Sequence, residues 1–306
     1  MPRVSVIIPA FNAEEHIEEA LQSVQHQTYE DWEIVVCDDC STDGTADRAG
    51  DFDDRLTLVN TETNAGAAMA RNLAIEHSGG ELLALLDADD YWRPTFLERQ
   101  LALYDSGQAE FGNVGIVACN AWLLQADGGR HPETYMELAR FPREVTLPRL
   151  LRHNPIFSSV VTPRRVVDEV GGFCPELHRT QDFDLWIRIV EAGYRVVATR
   201  EVLAVHRIGL PSLSSDVAAM ARYSQRTYRR ALERGKLSRR EQRVARRELR
   251  RRRLYERVAS DSGLSYRRAL RTLPLLLIVV AEHPRRWPSL PGLVARGRRA
   301  LAPFPR

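Results

Sequence analysis

Cysteine is scarce. Cys37, Cys40, Cys119 and Cys174 are the only four in 306 residues, too few for the disulfide framework of a small secreted domain. Lysine is almost missing: Lys236 stands alone, so arginine carries the basic charge. No apolar run approaches the roughly 20 residues that a membrane-spanning helix needs, and the most apolar late stretch is LPLLLIVVA at 273–281. The opening MPRVSVIIPAFN lacks the basic start, long apolar core and cleavage site of a secretory signal. No internal repeat is visible. Together these absences set the expectation of a cytoplasmic protein with reduced thiols.

What is present is ordinary in total and uneven in distribution. Hydrophobic residues make up 44% and charged residues 27% of the chain, which argues against wholesale disorder. The formal net charge of +2 hides a division. Residues 216–306 hold 25 Lys+Arg against 7 Asp+Glu, whereas residues 1–215 hold 18 against 34. An acidic body with a basic appendage is expected, the appendage meeting something anionic.

The first hundred residues alternate between two periods. VSVIIP (4–9), WEIVVCDD (32–39), RLTLVN (55–60) and ELLALLDADD (81–90) are apolar or β-branched runs of strand length. Between them, AEEHIEEALQSVQHQ places Ile17, Leu21 and Val24 on one helical face, and NAGAAMARNLAIEHSGG reads as a small-residue helix closed by glycine. Such alternation predicts right-handed βαβ units and a mostly parallel α/β sheet. Ligands bind at the carboxyl ends of strands in such sheets. Asn12, Asp38, Asp39, Asp87 and Asp89 all fall there.

The middle is less regular. VGIVACNAWLL (114–124), IFSSVVTP (156–163) and YRVVATREVLAVHR (194–207) read as strands, and QDFDLWIRIVEAG (181–193) as a helix with Phe183, Trp186, Ile187 and Val190 inward. From 216 to 257 the chain is arginine-rich and helical, and the helical pattern that follows is interrupted at Pro274.

Two carboxylate groups carry the chemistry. Asp87, Asp89 and Asp90 lie within DADD, where two carboxylates about 4 Å apart repel by roughly 4 kcal/mol at an effective dielectric near 20. A divalent cation would relieve that repulsion, and hard oxygen ligands favour Mg²⁺ or Mn²⁺. A solvated acidic turn capping the next helix explains the same spacing, and spacing alone leaves both readings open. In CDDC (37–40) the sulfurs compete with the carboxylates. A zinc or redox site needs partners, and Cys119 and Cys174 form no second C-x-x-C. The carboxylates are the better candidates.

VSVIIPAFNAEEHIEEALQSV, VVCDDCSTDGT, NAGAAMARN, GGELLALLDADDYW and GGFCPELHRTQDFDLWIRIVEAG, followed by HRIGLPSLS, together resemble glycosyltransferase family 2, with its GT-A fold, over about residues 3–215. The resemblance implies a Rossmann-like nucleotide-sugar half (about 1–110), an acceptor half (111–215) and a basic helical extension (216–306). It implies that Pro9, Ala10, Phe11 and Asn12 line the base and ribose with Glu14 close by. Asp39 would accept from the base N–H and Asp38 would support the ribose. Arg71 would lie near the base or diphosphate, and Asp87 and Ala88 beside the ribose. Asp89 would bind the cation, Mn²⁺ or Mg²⁺, with His206 and Arg207 near metal or diphosphate. Asp182 would be the general base, flanked by Gln181 on the acceptor side.

An ionised carboxylate at Asp182 suits removal of an acceptor hydroxyl's proton. Single displacement inverts the anomeric centre, so an α-linked donor gives a β-linked product. The chain also departs from the family pattern. Gln181 stands where an acid is usual, Phe11 where many relatives have Tyr, and Cys40 where glycine often follows the paired acids.

On the acceptor side, Asp90 and Trp92 are further candidates, Trp92 as an apolar platform or as core. Trp186 reads as core and Asp184 as solvated or supporting. UDP is the expected nucleotide, with GDP and dTDP open, and the acceptor is a glycan, lipid-linked or other hydroxyl. Three readings of the basic extension stay open: packing on the body, peripheral contact with an anionic membrane on its cytoplasmic face, and nucleic-acid binding, the last without any recognised module. The reading from another class is a sugar-nucleotide-binding or membrane-attachment module without turnover.

Overall fold

In the computed structural model, residues 2–50, 52–209 and 216–260 are described. The Leu210–Ser214 part of HRIGLPSLS and the apolar stretch at 273–281 lie outside them. The four early apolar runs become β1 (Val4–Ala10), β2 (Trp32–Asp38), β3 (Leu56–Asn60) and β4 (Leu82–Leu85). Helices α1 (Ile17–Gln25), α2 (Thr45–Gly50) and α3 (Ala67–Glu76) connect them. After DADD come the two-residue strand β5 (Tyr91–Trp92), helix α4 (Phe96–Phe111) and the long β6 (Val114–Gln125). Three short helices follow, α5 (Tyr135–Leu138), α6 (Leu147–Arg152) and α7 (Arg164–Val170), with β7 (Val160–Pro163) ahead of the last. Helix α8 (Gln181–Glu191), strand β8 (Arg195–Ile208) and helices α9 (Val217–Glu233) and α10 (Arg239–Ser260) complete the order.

The strands form one eight-stranded sheet in the order β3-β2-β1-β4-β7-β6-β8-β5. β3, β2, β1 and β4 are mutually parallel, as the βαβ pattern predicts. Beyond β4 the sheet is mixed: β7 runs antiparallel to both β4 and β6, while β6 and β8 are parallel. The chain builds β1, β2 and β3 to one side, then crosses to place β4 on the other side of β1. That reversal opens a crevice at the carboxyl ends of the strands. β1 ends at Ala10, β2 at Asp38 and β4 just before Asp87, so the three acidic or turn motifs meet there.

Side-chain alternation along β1 divides the core. Val4, Val6 and Ile8 pack with Ile17, Leu21 and Val24 of α1 and with Phe96, Leu97 and Leu101 of α4. Ile7 turns to the other face, with Ala68, Ala70 and Ala74 of α3, Leu150, Val166 and Trp186. The alanines of α3 let its backbone approach the sheet closely. α9 and α10 join this second layer through Tyr228, Ala231, Leu237, Ala245 and Leu249. Trp186 is fully buried, as its place on the apolar helical face predicts.

At Gly80 the chain passes so near β1 that an added Cβ would lie 2.6 Å from the Ser5 backbone nitrogen. The Gly80 amide also donates to Ser5 Oγ at 2.7 Å. Gly80→Ala is therefore expected to force two backbone segments apart and destabilise the fold by about 1–3 kcal/mol. Denaturant unfolding of the variant against the parent measures this, and an unchanged midpoint contradicts it.

Candidate active site

The loop after β1 is tied to the loop after β2. Asn12, with φ +49°, accepts at Oδ1 from the Thr42 amide (2.9 Å), and its own amide donates to Ser41 Oγ (2.9 Å). Glu14 accepts from the Gly44 amide at 3.0 Å and pairs with Arg48. It thus braces the loop that carries Phe11 and Asn12. Phe11 projects from this braced turn, 49% exposed. Pro9 and Ala10 lie at its base, and the Ala10 carbonyl accepts from the Asp39 amide.

The paired acids divide their labour differently from the expectation. Asp39 accepts from Thr61 Oγ1 (3.0 Å) and from the amides of Ala65 and Gly66 (2.7 Å each). Three donors saturate it and fasten the loop that starts α3. Asp38 is 4% exposed, accepts from the Ser41 amide at Oδ2, and keeps a buried Oδ1 without a partner. Of the pair, Asp38 is the one that keeps an oxygen free of any bond within the described residues. Cys37 is buried and its thiol is pushed up to about 12 by burial and the neighbouring acids. Cys40 is exposed, with φ +63°, the region where glycine is strain-free. No disulfide joins them.

In DADD each carboxylate has its own surroundings. Asp87 pairs with Arg71, which is 6% exposed, and accepts from Ser158 Oγ at 2.8 Å. Burial works against its charge, but Arg71 and Ser158 outweigh it and hold Asp87 below the usual carboxylate range. Arg71 Nη1 is buried without a partner. Asp90 is fully buried and accepts from the Arg207 amide at 2.9 Å, with His206 Nδ1 3.0 Å from both its oxygens. This contact follows from register: Tyr91 pairs with Val205 and Trp92 with Ala204, which sets Asp90 against His206. Among the described residues Asp89 makes no ion pair, and His206 acts on it only at a distance. Burial and the charges of Asp90 and Asp87 push it up to about 7. Burial opposes the charge of His206, yet Asp90, Asp87 and Asp89 raise it to about 9.

Among the described residues no three His, Cys, Asp or Glu side chains form a ready-made metal cage. The donors present still fit a hard cation that takes one or two protein ligands plus substrate phosphate oxygens. Asp89 is the under-neutralised oxygen donor, and Asp90 orients the His206 ring through Nδ1, leaving its Nε2 edge turned away.

Asp182 stands in the first turn of α8, where the helix dipole favours a carboxylate. Asn154 Nδ2 lies 3.4 Å from its Oδ2. Burial raises its pKa; the Phe183 amide and Arg71 pull it down, and Asp87 pushes it up again. Asp182 and the Arg71–Asp87 pair therefore feel one another's charge. Gln181 is 7% exposed, with Oε1 buried and unpartnered.

Three expectations are corrected. Trp92 is 3% exposed, stacked on Phe96 at 4.0 Å, with Nε1 donating to Ser159. A ring so covered is core and offers no platform. Asp90 is closed to an acceptor because His206 and the Arg207 amide occupy it. The Arg207 guanidinium is spent on the Asp89 carbonyl and on Glu19, over the Tyr91 ring, so it steadies the acidic loop. Ala88 is buried in the same loop. Asp184 is buried and supporting, paired with Arg188 at 2.7 Å. Ser158, Asn154 and Phe173, whose ring lies 5.4 Å from the Arg71 guanidinium, were not legible, because they sit in the irregular middle without a motif.

The unequal roles of the paired acids give a direct test. Asp39→Ala removes three bonds to one buried carboxylate and is expected to cost about 3 kcal/mol. Asp38→Ala removes one bond and is expected to cost about 1 kcal/mol. Equal losses in thermal unfolding contradict the division.

Comparison with known proteins agrees with this geometry. The family model described as Glycosyl transferase family 2 matches residues 5–167. TuaG of Bacillus subtilis, a glycosyltransferase named for teichuronic acid biosynthesis, is 32% identical over 74% of this chain and 88% of its own length. WfgD of Escherichia coli, a UDP-Glc:alpha-D-GlcNAc-diphosphoundecaprenol beta-1,3-glucosyltransferase, is 31% identical over 70% of this chain and 80% of its own. Among solved structures, the mannosyltransferase PcManGT of Pyrobaculum calidifontis, in complex with GDP-Man and Mn²⁺, superposes with a TM-score of 0.64. It is 24% identical and covers 98% of this chain and 87% of its own. S. aureus TarS 1-349 with UDP-GlcNAc gives 0.61 at 22% identity, over 75% of this chain and 66% of its own. These likenesses show the GT-A fold. With crevice, acidic loops and family model in agreement, this chain belongs to glycosyltransferase family 2.

Proposed function

We propose that this chain is an inverting glycosyltransferase that moves a sugar from a nucleotide-diphosphate donor, a UDP-sugar first, to an acceptor hydroxyl in cell-surface polysaccharide, glycolipid or glycan synthesis. The observation that carries the proposal is the meeting of the acidic loop Asp87–Asp90 with a half-buried carboxylate, Asp182, close enough for Asp87 and Arg71 to act on its charge. A module without turnover has no use for the second.

The residues divide the reaction as follows. Asp38 Oδ1 accepts from the base N–H, and Phe11 and Asn12 cover the base and ribose. Arg71, with a buried unpartnered Nη1, faces the donor's negative charge while holding Asp87. Asp89, together with His206 once its ring gives up a proton, would hold Mn²⁺ or Mg²⁺, which when bound would supply positive charge to the leaving diphosphate. Asp182 takes the acceptor hydroxyl's proton as that oxygen attacks the anomeric carbon; the bond from that carbon to the phosphate oxygen breaks, and its electron pair leaves with the diphosphate. Gln181, lacking charge, contributes a carbonyl towards the acceptor side. This machinery is assigned to residues 1–215, with 216–306 an extension.

Names of relatives bear on donor and acceptor. WfgD is named for a UDP-Glc donor and a diphosphoundecaprenol acceptor, and TarS has been solved with UDP. A lipid-linked acceptor suits the exposed face of α10. No described helix is long and apolar enough to cross a membrane, yet every exposed residue from 239 to 256 is an arginine. Arg239, Arg243, Arg246, Arg250 and Arg253 form a stripe about 21 Å long at 1.5 Å per residue, which fits peripheral contact with an anionic leaflet.

Four outcomes test the proposal. Asp182→Asn should lower turnover about 10³-fold while nucleotide affinity by calorimetry stays within two-fold, about the spread of an unperturbed site. Retained turnover contradicts the base. Because burial raises Asp182, and the carboxylate is the active form, the rate should fall as pH drops through a midpoint above the ordinary carboxylate value. A rate flat down to that value contradicts this. Titration with UDP, GDP and dTDP, with and without Mn²⁺, should give metal-dependent binding of one nucleotide that Asp89→Ala abolishes. Finally, replacing Arg243, Arg246 and Arg250 by Ala should cut co-sedimentation with phosphatidylglycerol vesicles by on the order of 100-fold, at about 1 kcal/mol per charge. Unchanged sedimentation removes the membrane contact.

A further inference from the structure

The extension begins with a helix that grips the candidate base from behind. Thr227 and Tyr228, consecutive on α9, are both fully buried. Thr227 Oγ1 is 3.0 Å from Thr180 Oγ1, and Thr180 is the residue that starts α8 two positions before Asp182. Tyr228 Oη donates to the Leu151 carbonyl at 2.9 Å, three positions before Asn154, whose amide meets Asp182. One turn of α9 therefore holds both segments that flank the carboxylate. Its ring also sets an edge against Phe183 at 5.8 Å.

Two further observations point the same way. Thr180 has φ +62°, a left-handed conformation that a β-branched residue adopts only under constraint. Its carbonyl accepts from the Asp184 amide at 3.0 Å, so the turn carrying Asp182 depends on that conformation. One and two turns further along α9, Arg230 and Arg234 reach the fully buried Asp184, and Arg234 also pairs with Glu191 at 2.8 Å. These arginines anchor the body of α8, and the threonine pair sets its first turn.

We infer that Thr227 and Tyr228 of α9 are positioning residues for Asp182, so that the extension is a working part of the active site. The inference rests on the reading of Asp182 as the base. Thr227 touches no substrate; it acts by fixing Thr180 in its constrained conformation and thereby the direction of the carboxylate two residues on. Displacement of a catalytic group by about 1 Å can lower a rate by about 100-fold.

The test uses the full chain and compares Thr227→Val, Thr227→Ser, Tyr228→Phe and Asp182→Asn with the parent. Amide hydrogen exchange at Asp184, which reports the bond to Thr180, should quicken about ten-fold or more in Thr227→Val. Exchange over 82–91 should stay parent-like. Release of free sugar with Mn²⁺ is then followed on whichever of UDP-glucose, UDP-GlcNAc and GDP-mannose the parent hydrolyses fastest. The maximal rate should fall roughly 10- to 100-fold in Thr227→Val and less in Tyr228→Phe, with donor KM unchanged, and Thr227→Ser should recover it. Unchanged exchange at Asp184 overturns the inference, as does a parent-like rate in a variant whose exchange has quickened, or a rate loss matched by an equal loss of donor binding. Asp182→Asn separates the two claims: a parent-like rate there refutes the base itself, whereas the exchange at Asp184 reports on Thr227 alone.

Discussion

Everything in the crevice answers to one constraint, the crowding of Asp87, Asp89 and Asp90 at the end of a buried strand. Two of the three are neutralised from within. Arg71 and Ser158 satisfy Asp87, while His206 and the Arg207 amide satisfy Asp90. Each solution recruits a different part of the sheet: Arg71 rides on α3, Ser158 precedes β7, and His206 and Arg207 end β8. The bonds made to these acids thus tie distant segments to one loop. The unsatisfied one is Asp89, which burial and its neighbours push up to about 7. Two carboxylates are thus paired and the middle one is left facing like charge, the feature on which the proposed cation site rests.

The loops around this cluster are held in conformations that ordinary residues avoid. Among the described residues, Asn12, Cys40, Arg140 and Thr180 are the non-glycine positions with positive φ, and three of them border the crevice. Each is over-determined by its surroundings. Asn12 is bonded to Ser41 and Thr42, Cys40 follows the saturated Asp39, and Thr180 meets Thr227. Observed strain of this kind points to pre-organisation. The turns are set before any donor arrives, and binding energy need not be spent on ordering them.

Sequence periodicity reached the parallel half of the sheet because its strands and helices are local, amphipathic and separated by clear turns. Ile17, Leu21 and Val24 are buried on α1, and β1 and β2 differ from their expected limits by a single residue. The acidic motifs were legible because carboxylates at the ends of apolar runs are unusual. Their individual roles were not, since Asp38 and Asp39 are adjacent and differ only in which face of β2 each meets. That difference depends on loop 61–66 folding back to offer its amides to Asp39, a long-range contact with no trace in local pattern. Trp92 is similar: pairing of β5 with β8 decides whether it is platform or core, and two residues are too short to declare a strand.

The acid body and basic extension divide neatly along the sequence but not in space. Part of the basic charge is internal. Arg230 and Arg234 on α9 meet Asp184 and Glu191 of α8, whose side chains are buried, Asp184 beside its own-helix partner Arg188. The opposite charges of the two regions are therefore, in the first instance, complementary to each other, and joining them orders the helix that carries Asp182. What α9 does not neutralise, α10 presents outward. Between 239 and 256 its acids Glu241, Glu248 and Glu256 are wholly or partly buried and its exposed positions are all arginine. An arginine face that served only solubility would tolerate interspersed acids. Segregation of sign on one helix, with the negative side turned inward, is the arrangement expected of a surface that meets an anionic partner.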